Sequence, residues 1–436
     1  MTTRKHPAAT LPEQLLDLAL TRGASAADVY WVHSHAQPVQ FEANRLKQLE
    51  ETESWGVALR LWHAGRPGLA VAYGWADPEL LVEKALAVSA LQTPDPVELP
   101  GPDTRSIQVL GPSVPLSTLM DWGRTAIEAL RTDFPEVLCS FSASQEVETT
   151  RLVNSQGLDY TYTESSVGAY LGAEWVRGDD FLAVGQGMED RQALDVARLV
   201  RVVGQRLTWA TRPADLGQGT GAVLLTAQAT DLLWDVAQLA LNGKLVAEGS
   251  SPWSRRRGES VAAASLTCRQ LPHLGTSACP FDDEGCLTRT LELITAGRLA
   301  GFYTDSRTAQ QLGVASTGNG FRPGLTRGPT PTLVNWWVEP GEGDLEHLIQ
   351  QLGEGLIVDQ ILGGGAGVAG DFSVNVDLGY WVSGGEVQGR VKNTMIAGNV
   401  YDLLPRIVHV GGDAQWVGST WTPSLVVEGI KAVSQD

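Results

Sequence analysis

The chain has 436 residues, enough for two or three domains with cores of their own, and its net charge of −18 argues against a nucleic-acid or anionic-membrane surface, where each phosphate contact needs a cation. Its 43% apolar content argues against disorder, and 48 glycines without a collagen period imply many tight turns, hence a strand-rich portion. Four cysteines (Cys139, Cys268, Cys279, Cys286) show no CxxC pairing and read as reduced thiols. No apolar segment follows Arg4 and Lys5, and no apolar run approaches a membrane span, so a soluble, cytoplasmic chain with no membrane contact is expected.

In chain order, Thr10 and Glu13 have capping-box spacing, and Leu15, Leu16, Ala19 and Leu20 repeat at helical spacing up to Gly23. Asp28 to His35, Trp55 to Trp62 and Leu69 to Trp75 alternate as strands do, and Asp77-Pro78 caps a second helix reaching about Leu91. Six prolines between Thr93 and Pro115 mark a linker or an extended surface crossing. A helix at Leu116 to Arg131 precedes strands at Val137 to Val147, Thr150 to Tyr162 and Val167 to Val176, with Asn154 to Gly157 as a turn; a helix at Ala193 to Trp209 closes this half. Proline and glycine between Pro213 and Gly221 set the boundary, giving domains at 1–213 and 214–436. The second half opens with a strand, Ala222 to Leu225, and a helix stopped by Gly243; it is β-rich thereafter. The fold class is α+β, a mixed N-terminal domain followed by a C-terminal domain of many short antiparallel strands.

A zinc hydrolase needs imidazoles and a carboxylate that share one cation, yet among seven histidines only His33 and His35 are close, and no HExxH or HExxxH occurs. They read as a surface or half-buried pair. No GxSxG elbow is present, and Cys268, Cys279 and Cys286 around His273 read as buried inert thiols. The runs GGGAGVAG from Gly363 and GQGTGA from Gly217 lack a phosphate-loop context and suit turns or a backbone cradle for an extended peptide. The acidic run Asp282-Asp283-Glu284 supports either acid-base or divalent-ion chemistry, or the satisfaction of turn amides and of arginines such as Arg289, Arg298 or Arg307; the structural role is favoured.

Several ordered motifs then line up: PHLGTSACPFDDEG from Pro272, TAGRLAGFYTDSRTAQQLG from Thr295, STGNG from Ser316, and GDFS followed by YWVSGGEV and IAGN. With FEANRLKQLEETESWGVALRLW from Phe41, they resemble the PmbA/TldD family over almost the whole chain. That resemblance implies a cytosolic metallopeptidase built from two kinds of subunit, a TldD-like kind with HExxxH plus a downstream cysteine for zinc and a PmbA-like (TldE-like) kind without them. Here the motif positions fall on Thr226, Ala227 and Asp231, on what is expected to be a helix, and the cysteine region reads GSTWTPS from Gly418.

The resemblance thus implies the PmbA/TldE kind: no catalytic residue, no metal and no cofactor of its own, a TldD-like zinc subunit as heterodimer partner, and unfolded peptides or peptide leaders as substrate. His273, Asp282, Asp283, Glu284, Asn319 and Asp371 are the candidate peptide-binding or structural residues. The alternative is a homodimeric peptide-binding or scaffold protein without proteolytic activity; a third reading makes the acidic run an independent hydrolase.

Overall fold

The computed structural model describes residues 10–95, 97–217, 221–363 and 365–434, so parts of both glycine runs, at 218–220 and 364, lie outside the described residues. The fold is α+β with a strand-rich C-terminal region.

One largely antiparallel sheet dominates the first half. Its central strands are Ala26–Glu42, Leu138–Asn154 and Leu158–Arg177, flanked by Thr52–His63 and Arg66–Tyr73. The last long strand has 20 residues and carries two neighbours along one edge. Leu158–Glu164 pairs in parallel with Asp103–Val109, which lies inside the proline-rich crossing, and Val167–Arg177 pairs with Asp180–Asp190.

Because side chains alternate along a strand, one register decides each face. Val29, Val57, Leu59 and Val153 lie under the helices Leu11–Thr21 and Pro78–Ala90. Val39, Phe41, Phe141 and Leu171, on the same face, lie under Leu116–Asp133 and Val196–Trp209. The opposite face begins at Asp28 and Tyr30, where Leu152, Tyr160 and Tyr162 pack on Phe281 of a C-terminal loop. Toward Gln40, Ser142 and Tyr170 that face opens into a groove.

The second half contains a sheet in the order Ile407–Val410, Leu425–Glu428, Ala222–Leu225, Gly355–Leu362, Asp371–Ser383, Thr394–Asn399 and Lys431–Ser434. Val223, Leu225, Leu356 and Val358 bury one of its faces against the helix Asp231–Leu241. Leu224, Ile357, Leu378 and Tyr380 on the other face share a cluster with Leu199, Val203 and Leu207 of the helix Val196–Trp209, which is therefore wedged between the two sheets. Enclosing each of those three side chains contributes about 1.5–3 kcal/mol.

Local signals account for much of this. Asp77 caps its helix by accepting from the Glu79 amide at 3.0 Å, and Gly313, at φ +66°, ends the helix Ser306–Leu312 in the left-handed region. Others turn out differently. The Thr10 hydroxyl makes no capping bond, and Glu13 is drawn instead to Arg151 at 2.7 Å. Gly243 does not simply stop a helix: Asn242 ends one and caps a second short one, Gly243–Ala247. The strand Asp180–Asp190 carries no strong alternation and escapes the sequence reading.

Candidate functional site

Thr226 to Thr230 form a turn rather than helix, between the strand Ala222–Leu225 and the helix beginning at Asp231. The buried Thr226 hydroxyl donates to Asp359 Oδ1 at 2.9 Å. The Ala227 amide donates to Ser424 Oγ at 3.2 Å, and Ser424 donates on to Asp413 Oδ2 at 2.6 Å. Thr230 Oγ1 lies 3.1 Å from Thr422 Oγ1, which also accepts from Trp234 Nε1 at 2.9 Å. The chain thus brings Thr226 to Asp231, the stretch the resemblance aligns with the zinc motif, against the GSTWTPS segment through hydroxyl contacts.

Zinc takes thiolate, imidazole and carboxylate ligands, most often four in all. A threonine hydroxyl already committed to Asp359, a methyl group and one aspartate do not make such a set. Burial, then the neighbouring Asp235, pushes the Asp231 carboxyl up to about 6. The residues present do not fit the ion.

The acidic run lies elsewhere, in the loop that covers the first sheet. Asp282 is fully buried; its Oδ1 accepts from the Glu284 and Cys286 amides at 3.0 and 2.8 Å, its Oδ2 from Gly320 at 2.8 Å. Asp283 accepts from the Arg322 amide at 2.7 Å, and Glu284 from Ser306 at 2.8 Å. Burial pushes the Asp283 carboxyl up to about 6 against the pull of Arg322. Beneath the loop, Asp28 bridges Arg60 at 2.6 Å and Arg322 at 3.2 Å. The acidic run does satisfy turn amides, but its nearby arginines are Arg322 and Arg60. Arg289 bonds Ser316 O, Arg298 bonds Gly258 O, and Arg307 pairs with Asp95. One carboxylate oxygen each of Asp282 and Glu284 lies with the Cys286 sulfur inside a 4.8 Å cluster, but both carboxylates are engaged by backbone amides and burial pushes the thiol up to about 11.

Asn319 is fully buried, donating to Gln270 Oε1 at 2.7 Å and Thr332 O at 2.8 Å. Asp371 is exposed and accepts from Asn399 at 3.0 Å. His273 is exposed on its loop, whereas His33 and His35 each pair with a glutamate, Glu53 and Glu51, at 2.8 Å. The sequence-level candidates therefore do not converge on one point.

What the sequence reading missed is the groove. A cavity of about 640 Å³ runs along the open sheet face over Gln40, Ser142, Ser144 and Gly168, and its wall is Gln228 of the motif turn with Trp416 to Gly418. A second, of about 350 Å³, continues past Gly187 to Asp190 toward Trp421. Gly187 to Asp190 belong to a strand with no strand paired on its outer edge among the described residues. The only sequence signal was negative, small polar residues where a covered strand would alternate.

A family model described as PmbA/TldA metallopeptidase C-terminal domain matches residues 218–434, and one described as PmbA/TldA metallopeptidase domain 1 matches residues 27–89. Metalloprotease PmbA of Escherichia coli is 31% identical over 182 residues, 41% of this chain and 38% of that protein. A PmbA homolog from Haemophilus influenzae is 30% identical over 213 residues, 48% of this chain and 45% of that protein. The chain therefore spans less than half the length of these curated relatives. Among solved structures, TldE from Thermococcus kodakarensis superposes with a TM-score of 0.89 at 23% identity, over 97% of this chain and 100% of that one. A putative modulator of DNA gyrase from Thermotoga maritima gives 0.85 at 24% identity, over 97% and 99%. At such identities the likeness shows the fold.

Proposed function

The chain belongs to the PmbA/TldD family, and from that premise we propose that it is the zinc-free subunit of a TldD/TldE-like peptidase, which holds unfolded peptide for a partner chain to cut. The observation that carries this reading is the turn at Thr226 to Asp231: it borders the groove through Gln228, yet offers hydroxyls, a methyl group and a single carboxylate at the positions the resemblance aligns with the ligands of the family's hydrolytic kind. Peptide would enter extended. Gly187 to Asp190 supply a strand edge beside the cavity that no other strand covers among the described residues, and backbone bonds along an edge recognise main chain rather than sequence.

The experiment is recovery of the tagged chain from its own cells. The reading expects an HExxxH-bearing chain to co-purify and unfolded peptide to be hydrolysed by the pair only. A homodimer that binds peptide, with no such chain recovered, would favour the scaffold alternative.

A further inference from the structure

The open sheet face carries a pattern that main-chain recognition does not use. Tyr170 is flanked in register by Ser142 and Gly187, and Gly172 and Gly185 face each other two residues beyond it, under its ring. A Cβ at Gly185 would come within 1.9 Å of Tyr170 Oη, and one at Gly172 within 3.1 Å of Cε1. The missing side chains let the ring lie down across the strands, with 45% of the residue still exposed. Two residues along, Gly168 faces Ser144 and Glu189; two further, Ser166 faces Glu146. The floor is thus lowest at Gly168, with one carboxylate on the strand to each side.

Glu146 accepts from Ser34 Oγ, and among the described residues neither Glu146 nor Glu189 takes part in an ion pair; Arg191 pairs with Glu164. Trp416 walls the same cavity, held by edge contacts with Trp337 and Trp421 at centroid distances of 6.0 and 5.4 Å. Among the described residues, none that lines the larger cavity is a lysine or an arginine. An aromatic ring and two carboxylates without an ion-pair partner in a half-enclosed cleft both attract a cation. A bare metal ion does not suit them. The glutamates stand two strands apart and two residues offset, so their Cα atoms are on the order of 12 Å apart, whereas one calcium ion needs its oxygens at about 2.4 Å. A long side chain ending in several N–H donors does suit them.

We propose that the groove selects extended peptides bearing a lysine or arginine, whose side chain is seated over Gly168 between Glu146 and Glu189. This rests on the peptide-holding reading and adds charge selectivity to it.

The test uses the full chain and three fluorescein-labelled peptides of alternating serine and threonine, identical but for a central lysine, norleucine or glutamate, followed by fluorescence anisotropy at low salt. The lysine peptide should bind roughly tenfold tighter than the norleucine one, and raised salt should erase the difference. Glu146→Gln with Glu189→Gln should remove the preference, and Glu189→Lys should shift it toward the glutamate peptide. Thermal melting confirms that each variant is folded. Equal binding of the three peptides overturns the charge selectivity while leaving peptide holding intact; binding of none overturns both.

Discussion

Arg206 and Asp359 form a buried ion pair between the helix that is wedged between the two sheets and the strand that supports the motif turn. Arg206 Nη2 donates to Asp359 Oδ1 at 2.9 Å, and Nε lies 2.8 Å from Oδ2 in a less well-aligned ionic contact. Arg206 Nη1 also donates to Gly185 O and Gln186 Oε1 of the first sheet, both at 2.9 Å, so one guanidinium ties both halves to the turn at Thr226.

Removing one partner leaves the other charge buried and alone. Asp359→Asn and Arg206→Met should each cost about 3–5 kcal/mol in denaturant unfolding, and the double variant should cost less than the sum. Strict additivity would mean that the two side chains do not act as a pair.

Thr422 accepts from Trp234 Nε1 inside the core. Thr422→Val keeps the shape and leaves the buried indole N–H without that acceptor, so a loss of about 1–3 kcal/mol is expected in the unfolding midpoint. An unchanged midpoint would show that the hydroxyl network does not stabilise the turn.

Much of the architecture was legible because it follows local rules: Asp77 at a helix start, Gly313 at a helix end, the apolar stripe of Leu232, Leu233, Val236 and Ala237. The hairpin of Leu138–Asn154 and Leu158–Arg177 was read as shorter pieces for a physical reason. From Gln145 to Arg151 both faces are only half covered, since one helix pair packs at each end of the sheet, and hydrophobic alternation vanishes there. The turn chemistry of Asp282 was readable from its neighbours, but Arg322 and Arg60 as nearby cations were not. Their approach depends on the loop docking on the first sheet, far away in sequence.

Glu148 sits on the half-covered sheet face in register with Ser34 and Glu164; Arg191 is already paired with Glu164 at 2.5 Å. Burial first, then Glu146, Glu164 and Asp283, pushes its carboxyl up to about 7 from 4.5. A carboxyl that holds its proton more tightly when folded favours the folded state at low pH, and that contribution fades as pH rises from the unfolded value through about 7. Asp231 and Asp283, each pushed up to about 6, act in the same direction. Melting temperature attributable to these groups should therefore fall between pH 5 and pH 8, and Glu148→Gln should make the fall shallower. Parallel curves for variant and parent would contradict this.

Burial pushes the Cys139 and Cys286 thiols up to about 11, and raises Cys268 and Cys279 as well. Little thiolate exists at neutral pH, so Ellman's reagent should react slowly with all four in the folded chain and fast in urea. One thiol reacting at once in the folded protein would reopen a cysteine nucleophile.

The most direct test of the zinc-free reading is metal analysis of the purified chain after incubation with zinc, beside hydrolysis of an unfolded peptide by the chain alone and by the chain mixed with an HExxxH-bearing relative. The account predicts no stoichiometric zinc on this chain and hydrolysis only in the mixture. One zinc per chain that is lost in Asp231→Asn, together with hydrolysis by the chain alone, would contradict it.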